Sequence, residues 1–412
     1  MKNKNIIVGL DVGTTKVCTI VGLDHPETGL EIIGIGNHPS QGLKKGSVVN
    51  IDKTVSSIRS SVEEAKLMAG VNVTEATIGI AGSHIYSFNS SGVVAVKGIE
   101  ITNEDVERVL EAAKAVVIPS DREVLHVLPM EFKVDNTPGI VDPVGMCGVR
   151  LEAHVHIVTG SVSLVQNLLR CVELAGIHPQ NITLQPIASS EAVLSEEEKE
   201  LGVVLVDVGG GTTDVAVWKN GSLIHSKIIP VGGNHFTNDL AVALKISHIE
   251  AERIKTNHGS VLAEQLNQSA KITVEGLHGT KPREVSLAEV AGVLGARAEE
   301  LFDLINEVIR EKELKHEITG GIILTGGGAL TKGLPELGEY ILEMPTKIGY
   351  PKSFGGMTNI MHNPKYSTVL GLLLEAARKS DHNKINKDME INQADLVSRL
   401  SDSLKSVFKE IF

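Results

Sequence analysis

Residues 201–218 read LGVVLVDVGGGTTDVAVW. Two short, β-branched apolar runs, Val203–Val206 and Val215–Trp218, flank a turn of glycine, threonine and aspartate. Both runs are too short for helices and read as strands. Gly209, Gly210 and Gly211 leave the backbone without Cβ atoms, so their N–H groups can come within hydrogen-bond distance of a ligand. Successive exposed N–H donors at such a turn make an anion-binding nest. Thr212 and Thr213 add hydroxyl donors. Asp207 and Asp214 bracket the turn, as carboxylates do when they hold Mg²⁺, largely through water, beside a phosphate. An ordinary hairpin turn needs only one or two residues with positive φ. Three glycines between two aspartates exceed that requirement.

The device recurs. Residues 6–20, IIVGLDVGTTKVCTI, run from an apolar strand through Asp11, Gly13, Thr14 and Thr15 into a second strand, with Lys16 standing in for the second aspartate. Residues 321–330, GIILTGGGAL, carry another strand into Gly326, Gly327 and Gly328. Two matching hairpins in separate halves, followed by a glycine triplet, predict a two-lobed nucleotide clamp. Each hairpin would hold the phosphates from one side, and the triplet would let the backbone approach the nucleoside.

The 412 residues exceed what one core usually supports, so two or more lobes are expected. Aromatics are only 3%, so the cores must be aliphatic and packed with small residues, which suits a glycine-rich α/β class. A net charge of −12 speaks against general nucleic-acid affinity. Cys18, Cys147 and Cys171 are far apart and form no C-x-x-C, so a zinc site or disulfide framework is not expected and a reducing compartment fits. The start of the chain has too short an apolar run for a signal peptide, and no run of about 18 apolar residues spans a membrane. His154 and His156 share a strand face. Two imidazoles without a third ligand read as a structural pair and not as a metal site.

The order DVGTTK, DVGGGTTD, TGGGAL resembles the first phosphate, second phosphate and adenosine loops of the actin, Hsp70 and sugar-kinase ATPase superfamily. GIGNHPSQGLKKGSVVNID at 34–52, LHVLPMEFKVD at 125–135 and GIVDPVGMCGVRLEAHVHIVTG at 139–160 narrow the resemblance to the FtsA family of bacterial cell-division proteins, because actin and Hsp70 have no counterpart to the middle stretches. The similarity covers about residues 6–378 and resumes at the last helix. It implies an α/β, actin-like, two-lobed, duplicated ribonuclease-H-like fold with an inserted α+β subdomain and a C-terminal amphipathic helix. The expected division is a first-lobe core at 1–83 and 163–195, the insertion at 84–162 and a second-lobe core at 196–230 and 317–350. A small second-lobe subdomain at 231–316, a closing helix within 351–378, a tether at 379–395 and the terminal helix at 396–412 complete it.

The resemblance also implies ATP and Mg²⁺ as cofactors. Gly13, Thr14, Thr15, Lys16 and Gly209–Thr213 hold the phosphates, Asp11 and Asp207 place the metal with Asp214 in support, and Gly233 joins the nucleotide set. Glu252 and Lys255, one turn apart, would contact ribose and adenine; a surface ion pair is the plainer alternative. Gly326, Gly327 and Gly328 would lie against the nucleoside. Gln185 is the candidate for orienting an attacking water, with Glu191 as runner-up, because an amide both donates and accepts. A helix-capping or inter-lobe hydrogen bond is an equal alternative for Gln185, and the resemblance implies at most a weak ATPase.

The tail follows its own pattern. Residues 379–395 lack the apolar content to pack. Beyond them Leu396, Val397, Leu400, Leu404, Val407, Phe408, Ile411 and Phe412 share one helical face, which predicts a lipid surface or a partner helix. The family resemblance favours lipid. It also implies filament formation with other copies of the chain, docking of the FtsZ C-terminal tail on 231–316, later division proteins on 84–162, and a peripheral location on the cytoplasmic face of the inner membrane at the division site. Arg297, Arg310, Lys312 and Lys315 are the basic candidates for an acidic tail. A sugar-kinase-type phosphotransferase and a pilus-type actin-like assembly protein are the alternatives.

Overall fold

A computed structural model describes residues 5–25, 29–267, 269–276, 281–311, 314–352, 355–356 and 363–379. Lys312, the expected tether beyond Lys379 and the expected amphipathic helix with its eight apolar residues lie outside these.

In chain order the first lobe opens with strands β1 (Asn5–Val12), β2 (Lys16–His25) and β3 (Gly29–Pro39). A small hairpin follows, β4 (Leu43–Lys44) and β5 (Ser47–Val48), then helix α1 (Ile51–Ala69) and β6 (Glu75–Ile80). The Asn50 side chain caps α1 by accepting from Lys53 N, and Gly70 ends it at φ 65°. The apolar stripe Val55, Ile58, Val62 and Ala65 is buried on the sheet. Gly36 admits the helix there: a Cβ on it would stand 1.8 Å from Ser61 O.

An insertion follows β6: β7 (Tyr86–Ala95), α2 (Asn103–Lys114), β8 (Arg122–Val134), β9 (Thr137–Ile140) and β10 (Arg150–Ser161). Its four strands make a separate sheet in the order β7-β10-β8-β9. Thr102 and Asp105 close a capping box on α2, as their spacing predicts. The strands are longer than the short apolar runs at 93–96 and 124–128 suggest, because their polar residues also pair in the ladder.

The chain returns through α3 (Val162–Leu174), β11 (His178–Leu184), α4 (Gln185–Val193) and α5 (Glu196–Leu201). The second lobe comprises β12 (Val203–Val208), β13 (Thr213–Lys219), β14 (Ser222–Ile229), α6 (Gly233–Leu244), α7 (His248–His258), β15 (Lys271–Val274), β16 (Arg283–Ser286) and α8 (Leu287–Arg310). Then come β17 (Ile322–Thr325), α9 (Leu334–Leu342), β18 (Thr346–Ile348) and β19 (Gly355–Gly356). A helix over residues 367–379 completes the described chain.

The two main sheets repeat one topology. The first runs β11-β6-β1-β2-β3-β19 and the second β14-β13-β12-β17-β18. In each, three strands form an antiparallel meander and two more join in parallel at its first strand; in the first sheet the two-residue β19 also joins β3 in parallel. Asp11 and Asp207 occupy matching places: Asp11 lies beside Gly79 of β6, and Asp207 beside Thr325 of β17. The helix over 367–379 buries Val369, Leu370 and Leu373 against the first sheet and meets α4 so closely that a Cβ on Gly371 would lie 1.7 Å from Ala188 O.

The inserted sheet is also fastened to the second lobe, at β14. Ser87 Oγ donates to Ser226 O at 2.7 Å, Asn89 Nδ2 to Ile224 O at 3.2 Å, and Ser222 Oγ to Met130 O at 3.0 Å. His156 is fully buried at this seam, its Nδ1 2.6 Å from Asn89 Oδ1 and its Nε2 3.0 Å from Ser226 Oγ. His154, on the same strand, faces out and pairs with Glu152.

Candidate functional site

The two glycine hairpins meet. A cleft of about 410 Å³ between the lobes is lined by Asp11, Gly13, Thr14, Thr15 and Lys16 from one side and by Asp207, Gly209, Gly210, Gly211, Thr212 and Asp214 from the other. Gln185, Gly233, Glu252, Lys255, Gly326, Gly327 and Gly328 also line it. The loops touch: a Cβ on Gly210 would fall 1.7 Å from Thr15 Oγ1, and one on Gly211 would fall 2.6 Å from Thr14 Oγ1. A side chain at either position would have to displace Thr14 or Thr15.

The strand registers correct one expectation. Each hairpin has a four-residue turn closed by the same 3.0 Å bond, Gly13 N to Lys16 O and Gly209 N to Thr212 O. Asp207 therefore faces Asp214 across its ladder, whereas Asp11 faces Cys18. Lys16 matches Thr212 in the turn and does not replace the second aspartate. The Thr-Thr pairs of the two loops obscure this, because Thr14-Thr15 and Thr212-Thr213 fall two positions out of step in loops of equal length. Cys18 is fully buried, and that burial pushes its thiol up to about 11.

Thr213 does not line the cleft; it is buried, and its hydroxyl donates to Val231 O at 2.8 Å. Glu191 is also elsewhere. It sits near the far end of α4, 2.8 Å from Lys199 Nζ and 3.7 Å from Arg378. Gln185, at the first turn of the same helix, is turned into the cleft, where its Nε2 donates to Asp11 Oδ1 at 2.8 Å.

Three carboxylates share the cleft floor. Asp11 is raised to about 6, chiefly by burial, with Lys16 opposing the rise and Asp207 adding to it. Asp207 is raised by burial as well, against hydrogen bonds from Ser189 Oγ at 2.5 Å and Thr368 Oγ1 at 3.0 Å. Asp214 is raised well above the carboxylate range by burial and by Asp207 and Asp11. Its Oδ1 is buried with no hydrogen-bond partner. Mutually repelling buried carboxylates with an unsatisfied oxygen fit a hard divalent cation. Among the described residues no three acidic, histidine or cysteine groups converge tightly enough to hold a metal alone. An ion here would be completed by water or by ligand oxygens.

The remaining residues bind one another around the opening. Lys16 Nζ donates to Lys365 O at 2.5 Å and lies 4.9 Å from the Tyr366 ring centre. The second loop's carbonyls are tied to the start of α6, Gly233 N to Gly209 O and Asn234 N to Gly210 O, both at 2.8 Å. Lys255 pairs with Glu252 at 2.8 Å and donates to Gly233 O at 3.0 Å. Both residues line the cleft, Lys255 largely buried and Glu252 partly exposed. In the triplet, Gly326 has φ 84° and a Cβ on it would lie 2.2 Å from Asp207 Oδ1; one on Gly328 would meet Val208 at 2.4 Å. Gly327 alone has room above it, the nearest atom being Lys365 Cβ at 3.8 Å. Ser189, Thr368, Lys365 and Gly46 complete the site and were not foreseen, because each reaches it only through tertiary packing.

The family described as "Cell division protein FtsA" matches residues 204–371, and "SHS2 domain inserted in FTSA" matches 82–159. The chain is 45% identical to Cell division protein FtsA of Pseudomonas aeruginosa over 92% of its length and 91% of that protein. It is 42% identical to that of Borreliella burgdorferi, with 100% of both covered, and 35% identical to that of Escherichia coli K12, with 98% and 99% covered. Among solved structures it is similar to a PilM–PilN type IV pilus biogenesis complex (TM-score 0.67, 15% identity, 91% of this chain and 99% of that one). It is also similar to MreB5 of Spiroplasma citri bound to ADP (0.55, 19%, 94% and 98%). The fold is actin-like.

Proposed function

The chain belongs to the FtsA family of cell-division proteins, and on that premise we propose that it binds ATP with Mg²⁺ and polymerises on the inner face of the cytoplasmic membrane. There it tethers FtsZ filaments and helps assemble the septum. The observation that carries this reading is the convergence of both glycine hairpins and three buried carboxylates on one inter-lobe cleft.

In this reading the N–H groups of Gly13–Thr15 and Gly209–Thr212 hold the phosphates, and Lys16 supplies a cation once it leaves the Lys365 carbonyl. Asp11, Asp207 and Asp214 hold the ion; Thr213 supports the loop from behind. Bound Mg²⁺ would neutralise phosphate charge. Glu252, Lys255 and Gly327 face the nucleoside. Gln185 holds the Asp11 carboxylate in place and is the residue nearest to orienting a water. Among the described residues the other carboxylate lining the cleft is Glu252, which is tied to Thr237 and Lys255, and we read the chain as at most a weak ATPase.

Residues 396–412 supply lipid contact, weakly per copy and firmly along a filament through effective concentration. The inserted sheet offers a surface for later division proteins and the small second-lobe subdomain one for the FtsZ tail. Arg297 is already committed to Asp239 and Glu300, and Lys315 to Glu343, which leaves Arg310 as the basic candidate among the described residues. Co-sedimentation with vesicles and FtsZ tests the whole. The full chain should carry FtsZ into the lipid pellet and a chain ending at Arg378 should not. Equal pelleting removes the anchor role.

A further inference from the structure

The sequence stretch GLKKGSVVN forms a structure that the functions above do not use. Its core is the hairpin β4–β5, with Leu43 paired to Val48 and Lys44 to Ser47. The two turn residues both have left-handed backbones, Lys45 at φ 50° and Gly46 at φ 76°. That pair of angles is a two-residue hairpin turn whose first position favours asparagine, aspartate or glycine. A lysine there is the less favourable local choice, which directs attention to its charge.

The hairpin is fixed against the cleft. Gly46 lines the cleft, its N–H donates to Thr14 Oγ1 at 3.1 Å, and a Cβ on it would lie 2.6 Å from Gly82 Cα. Thr14 is also the residue that Gly211 of the second loop rests on. The hairpin tip thus stands where both phosphate loops meet, on the first-lobe side, whereas the nucleoside-facing Glu252 and Lys255 come from the small subdomain of the other lobe. Neither the Lys44 nor the Lys45 side chain has an ion pair or hydrogen bond among the described residues. Lys16, by contrast, is engaged with Lys365 and Tyr366.

We propose that Lys44 and Lys45 are recognition residues for the terminal phosphate of a nucleoside triphosphate, so that the hairpin distinguishes triphosphate from diphosphate. This rests on the nucleotide reading of the cleft. Calorimetric titration of the full chain with a non-hydrolysable ATP analogue and with ADP, each with Mg²⁺, tests it in the wild type and in K44Q/K45N. Asparagine suits the left-handed turn position, so the melting temperature should hold. The variant should bind the triphosphate about tenfold more weakly, the worth of one charge-assisted contact, and ADP within about twofold of wild type. Unchanged binding of both, or equal weakening of both, overturns the proposal. A wild-type chain that binds neither nucleotide overturns instead the reading on which it stands.

Discussion

Asp11 accepts a 2.8 Å hydrogen bond from Gln185 Nε2 at the point where the first sheet meets the helix that crosses to the second lobe. A residue expected to position water is holding a carboxylate. That carboxylate is buried, and its burial carries a stability cost whenever it is ionised.

The sign of that cost follows from the shift. Asp11 is raised from 3.8 to about 6 by burial, so between these values the folded chain binds more protons than the unfolded one. Its contribution is present below about pH 4 and is lost as pH rises through 6. Asp11→Asn should therefore be more stable than wild type at pH 7 without nucleotide, by about 3 kcal/mol at most. The difference should shrink towards zero near pH 4. Urea melts of both proteins from pH 4 to 7.5 check this, and a difference independent of pH would contradict it.

Gly326 and Gly327 should respond differently to alanine. Gly326 is left-handed and its Cβ would strike Asp207 Oδ1, while Gly327 has open space. Gly326→Ala should lower stability by about 1–3 kcal/mol. Gly327→Ala should melt like wild type yet bind nucleotide more weakly. Thermal melts with and without Mg²⁺-ATP separate the two effects.

His156 joins the insertion to the second lobe. Its removal strands Asn89 Oδ1 and Ser226 Oγ in a buried seam and leaves a cavity, so His156→Ala should cost about 2–4 kcal/mol. Hydrogen exchange should speed up in β14 as well as in β10. Loss of protection confined to the inserted sheet would show that the seam does not couple them.

Trp218 is the only tryptophan of the chain, and its Nε1 donates to Ser190 Oγ at 2.8 Å on α4, next to the Ser189 that holds Asp207. Saturating Mg²⁺-ATP should change its emission, and Ser190→Ala should diminish that change. A spectrum unmoved by nucleotide in both proteins would mean that α4 stays still on binding.

The parts of the fold legible in the sequence are those whose signal is local. Both hairpins carry their own turn chemistry and β-branched flanks. The capping box at Thr102 and the stripe on α1 follow the helical period. What escaped depends on register or on distant packing. Lys16 was matched to Asp214 because the turns differ in spelling but not in length. Thr213 looks like a ligand donor until the pleat turns it towards Val231. Glu191 and Gln185 stand on one helix, and only their angular positions and distance along it decide which enters the cleft. Ser189, Thr368 and Lys365 carry no local mark at all, and the bonds from the inserted sheet to β14 join residues more than 60 apart in sequence.

The central claim is that both hairpins close on one Mg²⁺-nucleotide. Titration of ATP with Mg²⁺ into wild type and Gly210→Val tests it most directly, since a Cβ at 210 would lie 1.7 Å from Thr15 Oγ1 and hold the loops apart. The account predicts one saturable site in the wild type and at least about tenfold weaker binding in a variant that still melts cooperatively. Equal affinity in the two proteins would contradict it.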